Sequence, residues 1–202
     1  MSLTDMDMPV EKKIVFELNG RSVEAIEGET ILEAADRIGV EIPRLCYKEG
    51  IRADGNCRAC VVEIDGERAL APSCCRYPTD GMKVTSNEGK ARHSQEMVLE
   101  LLLADMPDQK NTPYSLDSEL DFWKDKLGVQ NSRFPQRHQP VEDESHPAIS
   151  VHLDACIQCG LCVRACREVQ VNDVIGMSGR GHNSYPTFDM ACLLYTSPSP
   201  RD

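Results

Sequence analysis

Apolar and polar residues alternate near the start of the chain in the manner of two short strands. Apolar side chains recur at every second position over residues 14–18, and a second apolar run covers residues 23–26. Asn19-Gly20 lies between the two runs, and this dipeptide is the strongest short-range signal for a hairpin turn. The pattern therefore predicts a β-hairpin over residues 12–27.

A helical pattern follows the hairpin. Thr30 and Glu33 have the spacing of a capping box, and Gly39 is typical of the residue that ends a helix. The sequence therefore predicts a helix over residues 30–38. Its expected apolar face consists of Ile31, Leu32, Ala35 and Ile38.

Further short strands complete a small domain. Residues 60–64 are typical of a strand, and residues 69–71 and 82–85 are shorter strand candidates. Because these strands surround one helix and a long loop at residues 43–59, the pattern predicts a compact α+β domain over residues 12–89.

The pattern changes to a longer helix beyond this domain. Apolar residues recur with helical spacing around Met97, Leu101 and Ala104, which predicts an amphipathic helix over residues 90–105.

A polar, proline-rich stretch comes next, so that helix and linker together occupy residues 90–147. We expect a short helical piece at residues 117–127 and an otherwise irregular linker that wraps over neighbouring parts. A second cysteine-rich unit is expected at residues 148–191, and residues 1–11 are expected to be disordered.

Charge and hydropathy exclude several classes of protein. The formal net charge of −11 argues against a nucleic-acid partner and against docking on an anionic membrane surface, because both require basic patches. The first residues resemble no secretory signal, and the most apolar stretch, residues 97–104, is too short to span a bilayer. We therefore expect a cytoplasmic protein without membrane insertion. Its 10 cysteines then indicate metal sites before disulfides, since cytoplasmic thiols stay reduced.

The first cysteine set has the spacing C-x10-C-x2-C-x13-C. A close pair flanked by two distant cysteines is what a [2Fe–2S] cluster needs, because each of its two irons takes two thiolates. Gly55 and Ala59 would let backbone N–H groups approach the cluster sulfur. A structural zinc site with the same thiolates is the alternative. Cys75 is expected to be a packing residue, with substitution for a ligand as the lesser alternative. The four predicted ligands are Cys46, Cys57, Cys60 and Cys74.

The second cysteine set has the spacing C-x2-C-x2-C-x3-C, which is the bacterial ferredoxin run for [4Fe–4S] clusters. Three of its thiolates can hold one cluster, and the fourth usually binds the other cluster of a two-cluster unit. Gly160 lies where the loop must bend tightly, and Arg167 replaces the proline that often follows the run. Zinc and disulfides are the alternatives. The predicted ligands are Cys156, Cys159, Cys162 and Cys166.

The first cysteine set lies within a stretch that resembles a known family. The residues that carry the resemblance are CY at 46–47, GNCRACVVEI at 55–64 and APSC at 71–74. They resemble the N-terminal [2Fe–2S] domain of the complex I large iron–sulfur subunit, of iron-only hydrogenases and of NAD-dependent formate dehydrogenase alpha subunits. The resemblance implies a β-grasp ferredoxin fold. The whole chain would then be a β-grasp ferredoxin domain, a helix, an irregular linker and a truncated [4Fe–4S] ferredoxin unit.

One departure separates these relatives. Residues 101–108 align with the segment that leads, in complex I subunits and many hydrogenases, to a histidine and three cysteines that hold a further [4Fe–4S] cluster. Met106 occupies the histidine position, and residues 107–155 contain no cysteine. That cluster is therefore expected to be absent, which favours a formate dehydrogenase alpha subunit. The linker is expected to fill the vacated volume with Leu116, Leu120, Phe122 and Trp123. Residues 174–181 and 186–190 also resemble the segment that joins the two ferredoxin runs of such subunits.

This resemblance implies an electron-relay role in formate oxidation to CO2 coupled to NAD reduction. The implied catalytic cofactor is a molybdenum or tungsten bis-pterin in a missing C-terminal molybdopterin domain, so no catalytic residue is expected here. The implied partners are a flavin- and NAD-binding diaphorase subunit and a small iron–sulfur subunit. The alternatives are a complex I or hydrogenase iron–sulfur subunit and a free-standing ferredoxin-like carrier.

The final residues differ in character from the rest. Residues 192–202 match the translation of a transposase-type sequencing adapter throughout. We therefore expect an artefactual tail, with Cys192 not a ligand and a second ferredoxin run in the natural continuation beyond Ala191. The [4Fe–4S] sites would then be incomplete in this chain. A genuine Ser-Pro tail is the alternative.

Overall fold

The computed structural model describes residues 13–106, 118–137, 143–146 and 149–188. These residues form two compact units. The first contains the described residues up to Ile42 together with Val61–Arg92, and the second contains Pro43–Cys60 and the described residues from His93 onward. The expected disordered N-terminus and artefactual tail lie outside the described residues.

The first unit is a mixed sheet with one helix. The sheet order is β2-β1-β5-β3-β4, in which β1 and β5 are parallel and the other neighbours are antiparallel. This is the arrangement of a β-grasp ferredoxin domain, so the predicted α+β fold is confirmed. The elements are β1 (Lys13–Leu18), β2 (Arg21–Ile26), α1 (Ile31–Arg37), β3 (Val61–Ile64), β4 (Ala71–Pro72) and β5 (Lys83–Thr85).

The hairpin of β1 and β2 forms for the reason that the sequence indicates. Asn19 and Gly20 both have positive φ, at 51° and 77°, which a two-residue type I′ turn requires. The register pairs Leu18 with Arg21. Alternate side chains then face the core, where Phe16 and Leu18 are buried.

Helix α1 begins at the predicted capping box. Thr30 accepts a hydrogen bond from the Glu33 backbone N–H, and the Glu33 carboxylate accepts one from the Thr30 backbone N–H. The predicted apolar face is correct for most positions, but Ile38 is exposed, because it follows the last helical residue. Ala34, which the pattern did not include, is buried instead.

Helix α2 (Gly89–Asp105) and helix α3 (Glu119–Leu127) lie where helices were predicted. The predicted face of α2 is wrong at Leu101, which is 48% exposed, whereas Leu99 is fully buried. Gln95, one turn before Leu99 on the same helix, is also buried, so a glutamine takes a place that hydrophobicity alone would assign to an apolar residue.

The remainder of the second unit consists of short elements. Two antiparallel pairs are formed by β6 (Asp143–His146) with β7 (Ile149–Val151) and by β8 (Ile175–Ser178) with β9 (Tyr185–Phe188). Between these pairs a one-turn helix, α4 (Leu161–Arg164), continues directly into a π-helical turn (Ala165–Val169). Among the residues that the structure describes, no helix is both long and apolar enough to cross a membrane.

Candidate functional site

The first candidate site lies in the loop Pro43–Cys60, which we call the first cysteine loop. Cys46 and Cys60 are buried there, and Cys57 is partly buried. The backbone N–H of Cys57 donates a hydrogen bond to Cys46 Sγ over 3.5 Å. Gly55 and Arg58 both have positive φ, which turns the backbone sharply on either side of Cys57. The loop therefore directs a backbone N–H group at a cysteine sulfur, and the expected contact with cluster sulfide stays a prediction.

Electrostatics favour a thiolate in this loop. The pKa of Cys46 is lowered to about 6, first by a hydrogen bond from the Cys57 thiol, although burial opposes the shift. Backbone N–H groups of Cys57 and Asn56 and the positive charge of Arg164 lower it further. The pKa of Cys57 is raised, because its proton is held by the hydrogen bond to Cys46 and because the thiol is buried. Such a pair can supply thiolate ligands once a metal displaces the shared proton.

Cys74 belongs to the first unit, where it is fully buried. The first turn of α1 holds the backbone around it, since Leu32 N–H donates to the Ser73 carbonyl over 3.1 Å and Ile31 N–H donates to the Arg76 carbonyl over 2.8 Å. Cys75 is exposed, and its Sγ lies 3.6 Å from Cys74 Sγ. The structure does not support the expected packing role of Cys75, because its side chain is exposed beside the buried Cys74.

The second cysteine run, residues 156–166, follows a short 3-10 turn. Gln158 and Gly160 have positive φ, at 57° and 70°, so the chain bends tightly where the sequence predicted it. The Gln158 backbone N–H donates to Cys156 Sγ over 3.4 Å. Cys166 is buried in the π-helical turn, whereas Cys162 is exposed.

The thiols of the second run influence one another. Burial raises the pKa of Cys159, the Leu161 backbone N–H opposes that shift, and negative charge on Cys162 and Cys156 adds to it. The pKa of Cys162 is also raised, because neighbouring chain atoms remove part of the water around its thiol although the residue as a whole is exposed, and the Val163 backbone N–H again opposes the shift. Neighbouring thiolates repel one another unless a cation lies among them, which is the situation that a metal cluster relieves.

The structure brings some predicted ligands together and not others. Cys46 and Cys57 are in direct contact. In the second run, Cys162 lies on α4 and Cys166 on the π-helical turn that continues it, whereas Cys156 and Cys159 lie in the preceding loop. Within the described ranges, however, no group of three or more histidine, cysteine, aspartate or glutamate side chains is placed so as to hold a metal ion. The chemistry of the donors, thiols with backbone N–H groups directed at sulfur, fits iron–sulfur ligation. The complete four-cysteine sets stay predictions.

An apolar cluster supports the first cysteine loop. Met106 is buried within it, and Cys57 and Ile157 pack against it from the two cysteine-bearing segments. The sequence analysis expected linker residues to fill this volume. Phe122 is 55% exposed, so that part of the expectation is wrong, and Leu116 lies outside the described residues. The buried members of the cluster are Leu45, Ala59, Leu99, Met106, Leu120, Trp123 and Leu127.

Arg164 is a residue that the sequence analysis missed. Its side chain is buried beside both the first cysteine loop and the second cysteine run. The only available signal was an arginine between two predicted ligands, and that position does not reveal which backbone atoms the side chain reaches.

Comparison with known proteins finds similarity to an iron–sulfur domain family and to subunits of oxidoreductases. Residues 11–89 match the family model described as the 2Fe-2S iron-sulfur cluster binding domain. The chain is 34% identical over 169 residues to the NADH-ubiquinone oxidoreductase 75 kDa subunit of Reclinomonas americana, covering 83% of this chain and 24% of that protein. It is 33% identical over 186 residues to the NADP-reducing hydrogenase subunit HndD of Solidesulfovibrio fructosivorans, covering 88% of this chain and 32% of that protein. The chain thus spans about a quarter to a third of the length of these curated relatives.

A solved structure is similar over most of the chain. It is a crystal structure of an NAD+-reducing [NiFe]-hydrogenase in the H2-reduced state, with a TM-score of 0.81 and 30% sequence identity. The match covers 94% of this chain and 81% of that one.

Proposed function

Because the chain belongs to the family of iron–sulfur subunits of NADH-quinone oxidoreductases and NAD-reducing hydrogenases, we propose that it is an electron-relay segment of an NAD-linked, multisubunit oxidoreductase. The partners would be a flavin- and NAD-binding diaphorase subunit and a small iron–sulfur subunit. We expect it to act in the cytoplasm, where its thiols stay reduced. The segment would carry electrons and would not itself bind the substrate.

The first proposed centre is a [2Fe–2S] cluster, which accepts and releases one electron at a time when bound. The matched family region contains all four predicted ligands, and the contact between Cys46 and Cys57 supports two of them. The first cysteine loop would bury the centre, which disfavours added negative charge, and would direct backbone N–H groups at sulfur, which favours the reduced, more negative state. The proposed ligands are Cys46, Cys57, Cys60 and Cys74.

The second proposed centre is a [4Fe–4S] cluster held by the second cysteine run. Its support is the ferredoxin spacing together with the tight turn at Gln158 and Gly160. We propose that Cys156, Cys159 and Cys162 serve one cluster and that Cys166 serves a second one. Their remaining ligands would come from a second ferredoxin run after residue 191, with residues 192–202 as an artefactual tail.

We further propose a formate dehydrogenase alpha subunit as the parent protein, with a molybdenum or tungsten bis-pterin in a domain beyond this chain. The observation that carries this choice is the burial of Met106, which is 5% exposed among Leu120, Trp123 and Leu127 of α3. An apolar thioether packed against a helix leaves no ligand at that position for a further cluster. The cysteine-free stretch at residues 107–155 is consistent with the same conclusion.

A relay subunit of an NAD+-reducing hydrogenase is the second candidate. The match to the solved hydrogenase covers 81% of that chain, so a protein of this type can be little longer than the segment described. In that case the hydrogen-activating site would lie on another subunit, and no bis-pterin domain would follow.

The two candidates differ in the electron donor and in the metal. The experiment is to purify the complete gene product with its copurifying subunits, to measure NAD reduction with formate and with H2, and to determine molybdenum, tungsten and nickel. Formate-dependent activity with molybdenum or tungsten is expected. Hydrogen-dependent activity with nickel would establish the second candidate, and NADH oxidation by quinone with neither donor active would contradict both.

A matched variant tests the relay role itself. Cys57→Ser is expected to abolish NAD reduction by formate while an artificial dye still accepts electrons from the catalytic site. Equal loss of both activities would contradict a relay role, because the substitution would then have damaged the catalytic domain or its assembly.

A further inference from the structure

Arg164 carries a buried charge for which the proposed ligand sets give no reason. Its side chain is only 5% exposed, at the end of α4 and between two predicted ligands of the second cysteine run. A charged group loses much hydration on burial and is tolerated when polar atoms replace the lost water. The atoms that surround its guanidinium therefore indicate what the side chain does.

The guanidinium reaches the backbone of both cysteine-bearing segments. Nη2 donates a hydrogen bond to the Cys46 carbonyl oxygen and, over 3.4 Å, to the Cys159 carbonyl oxygen. Nη1 donates to the carbonyl oxygen of Arg52. One nitrogen atom thus bridges the main chain of a predicted ligand from each cysteine set.

A second contact one turn later strengthens this attachment. Glu168 Oε2 accepts a hydrogen bond from the Arg52 backbone N–H over 2.9 Å, and its Oε1 lies 3.6 Å from Arg52 Nε. The main chain at Arg52 is therefore held on both sides, at its carbonyl by Arg164 and at its N–H by Glu168. Ile157 adds an apolar contact, since it packs with Cys57 on the cluster that contains Met106.

The charge of Arg164 is only weakly balanced. Arginine stays protonated in proteins, and carbonyl oxygens accept its hydrogen bonds without cancelling its charge. The carboxylate in ion-pair range is that of Asp54, whose Oδ2 lies 3.9 Å from Arg164 Nε, beyond hydrogen-bond distance. Adding an electron to a thiolate-bound cluster increases its negative charge, so a nearby buried cation favours the reduced state.

We propose that Arg164 is a positioning residue for electron transfer, which fixes the second cysteine run against the first cysteine loop and raises the reduction potential of the [2Fe–2S] centre. This inference rests on the proposed assignment of that centre. It goes beyond the assignment because it names the contact that keeps the two centres at a constant separation and the group that adjusts the potential of one of them.

The test uses the full chain in four forms: wild type, Arg164→Gln, Arg164→Lys and Arg167→Gln. Arg167 is the matched control, because its side chain is 58% exposed, it pairs with Asp173, and its loss changes the net charge by the same amount. The first measurement is a potentiometric titration of the reconstituted [2Fe–2S] centre, followed by EPR. The second is amide hydrogen exchange across residues 46–56.

At the wild-type midpoint potential, Arg164→Gln is expected to raise the ratio of oxidised to reduced centre about tenfold. For a one-electron couple this corresponds to a midpoint potential lowered by about 59 mV. Arg164→Lys should restore most of the potential, because it keeps a positive charge. Both substitutions should accelerate exchange in residues 46–56, since neither side chain can reach three carbonyl oxygens. Arg167→Gln should match the wild type in both measurements.

Several outcomes would overturn the inference. An Arg164→Gln variant with the wild-type midpoint potential would contradict the electrostatic role of Arg164. An equal shift of the midpoint potential in Arg167→Gln would contradict it as well. Unchanged exchange in Arg164→Lys would remove the positioning role, and this readout still decides the matter if Arg164→Gln fails to fold. If the wild type binds no [2Fe–2S] cluster, the proposed function fails instead, and exchange in the iron-free variants still tests whether Arg164 joins the two segments.

Discussion

Two leucines on helix α2 provide a direct test of how the apolar cluster supports the first cysteine loop. Leu99 is fully buried against Leu45 and Ala59 of that loop, whereas Leu101 is 48% exposed on the same helix. The perturbation is Leu99→Ala, with Leu101→Ala as a control of identical chemistry. Both substitutions remove the same atoms from the same helix, so their difference reports burial alone.

The structure sets the expected magnitudes. Leu99→Ala loses the transfer free energy of a fully buried side chain and leaves a cavity that the surrounding residues cannot easily fill, so we expect a loss of about 3 kcal/mol in the free energy of unfolding. Leu101 exposes about half of its side chain, so its truncation should cost at most about 1 kcal/mol, part of which is offset by the high helix propensity of alanine.

The assay uses the single tryptophan of the chain. Trp123 is buried in the same cluster as Leu99, so its fluorescence during urea unfolding reports the stability of this part of the second unit. We also expect the Leu99→Ala variant to release iron faster on exposure to a chelator, because the predicted ligand Cys57 packs against the apolar cluster that contains Leu99. An equal or greater loss of stability in Leu101→Ala would refute this reasoning and would support the helix face that the sequence pattern predicted.

Four further outcomes are expected. Cys57→Ser should lose or severely destabilise the [2Fe–2S] centre while Cys75→Ser keeps nearly wild-type iron and sulfide content, which colorimetric analysis can measure; equal losses would mean that Cys75 is a ligand. Thr30→Ala should lower the free energy of unfolding by about 1 kcal/mol through loss of the α1 cap, measured by urea denaturation, and a neutral result would remove the cap from the account. The pKa of the Glu29 carboxyl is lowered, chiefly by its hydrogen bond with Arg37, so the small stabilisation by this pair should be present above the ordinary value of 4.5 and fade as pH falls below it. Arg37→Gln should reduce this pH dependence of the free energy of unfolding, and an unchanged dependence would contradict the role of Arg37. The complete protein should contain one fewer [4Fe–4S] centre than its complex I relatives, and an iron count that requires a cluster in residues 107–155 would contradict the role given to Met106.

Local chemistry explains which parts of the fold could be predicted. The hairpin depends on Asn19-Gly20, and the start of α1 depends on Thr30 and Glu33, so each signal acts within a few residues of where it is read. The closely spaced cysteines, residues 57–60 and 156–166, likewise form a signal within a short stretch of sequence. Elements of this kind can be recognised from sequence because few distant contacts can override them.

Distant contacts explain what could not be predicted. The buried face of α2 is chosen by the residues that pack on it, so Leu101 is exposed although its spacing suits an apolar face. Arg164 hydrogen-bonds to backbone atoms of Arg52 and Cys46, which lie 112 and 118 positions earlier in the chain. A local sequence pattern carries no information on such a long-range pairing. The acceptors are backbone carbonyl oxygens, which every residue has, so the residue types at these positions do not indicate the contact.

Iron and sulfide analysis of the full chain, expressed and purified anaerobically, tests the central claim most directly. The account predicts at least two irons and two acid-labile sulfides per chain, with a rhombic EPR signal after reduction that Cys57→Ser or Cys60→Ser removes. Stoichiometric zinc without labile sulfide, bound by the same cysteines, would contradict it.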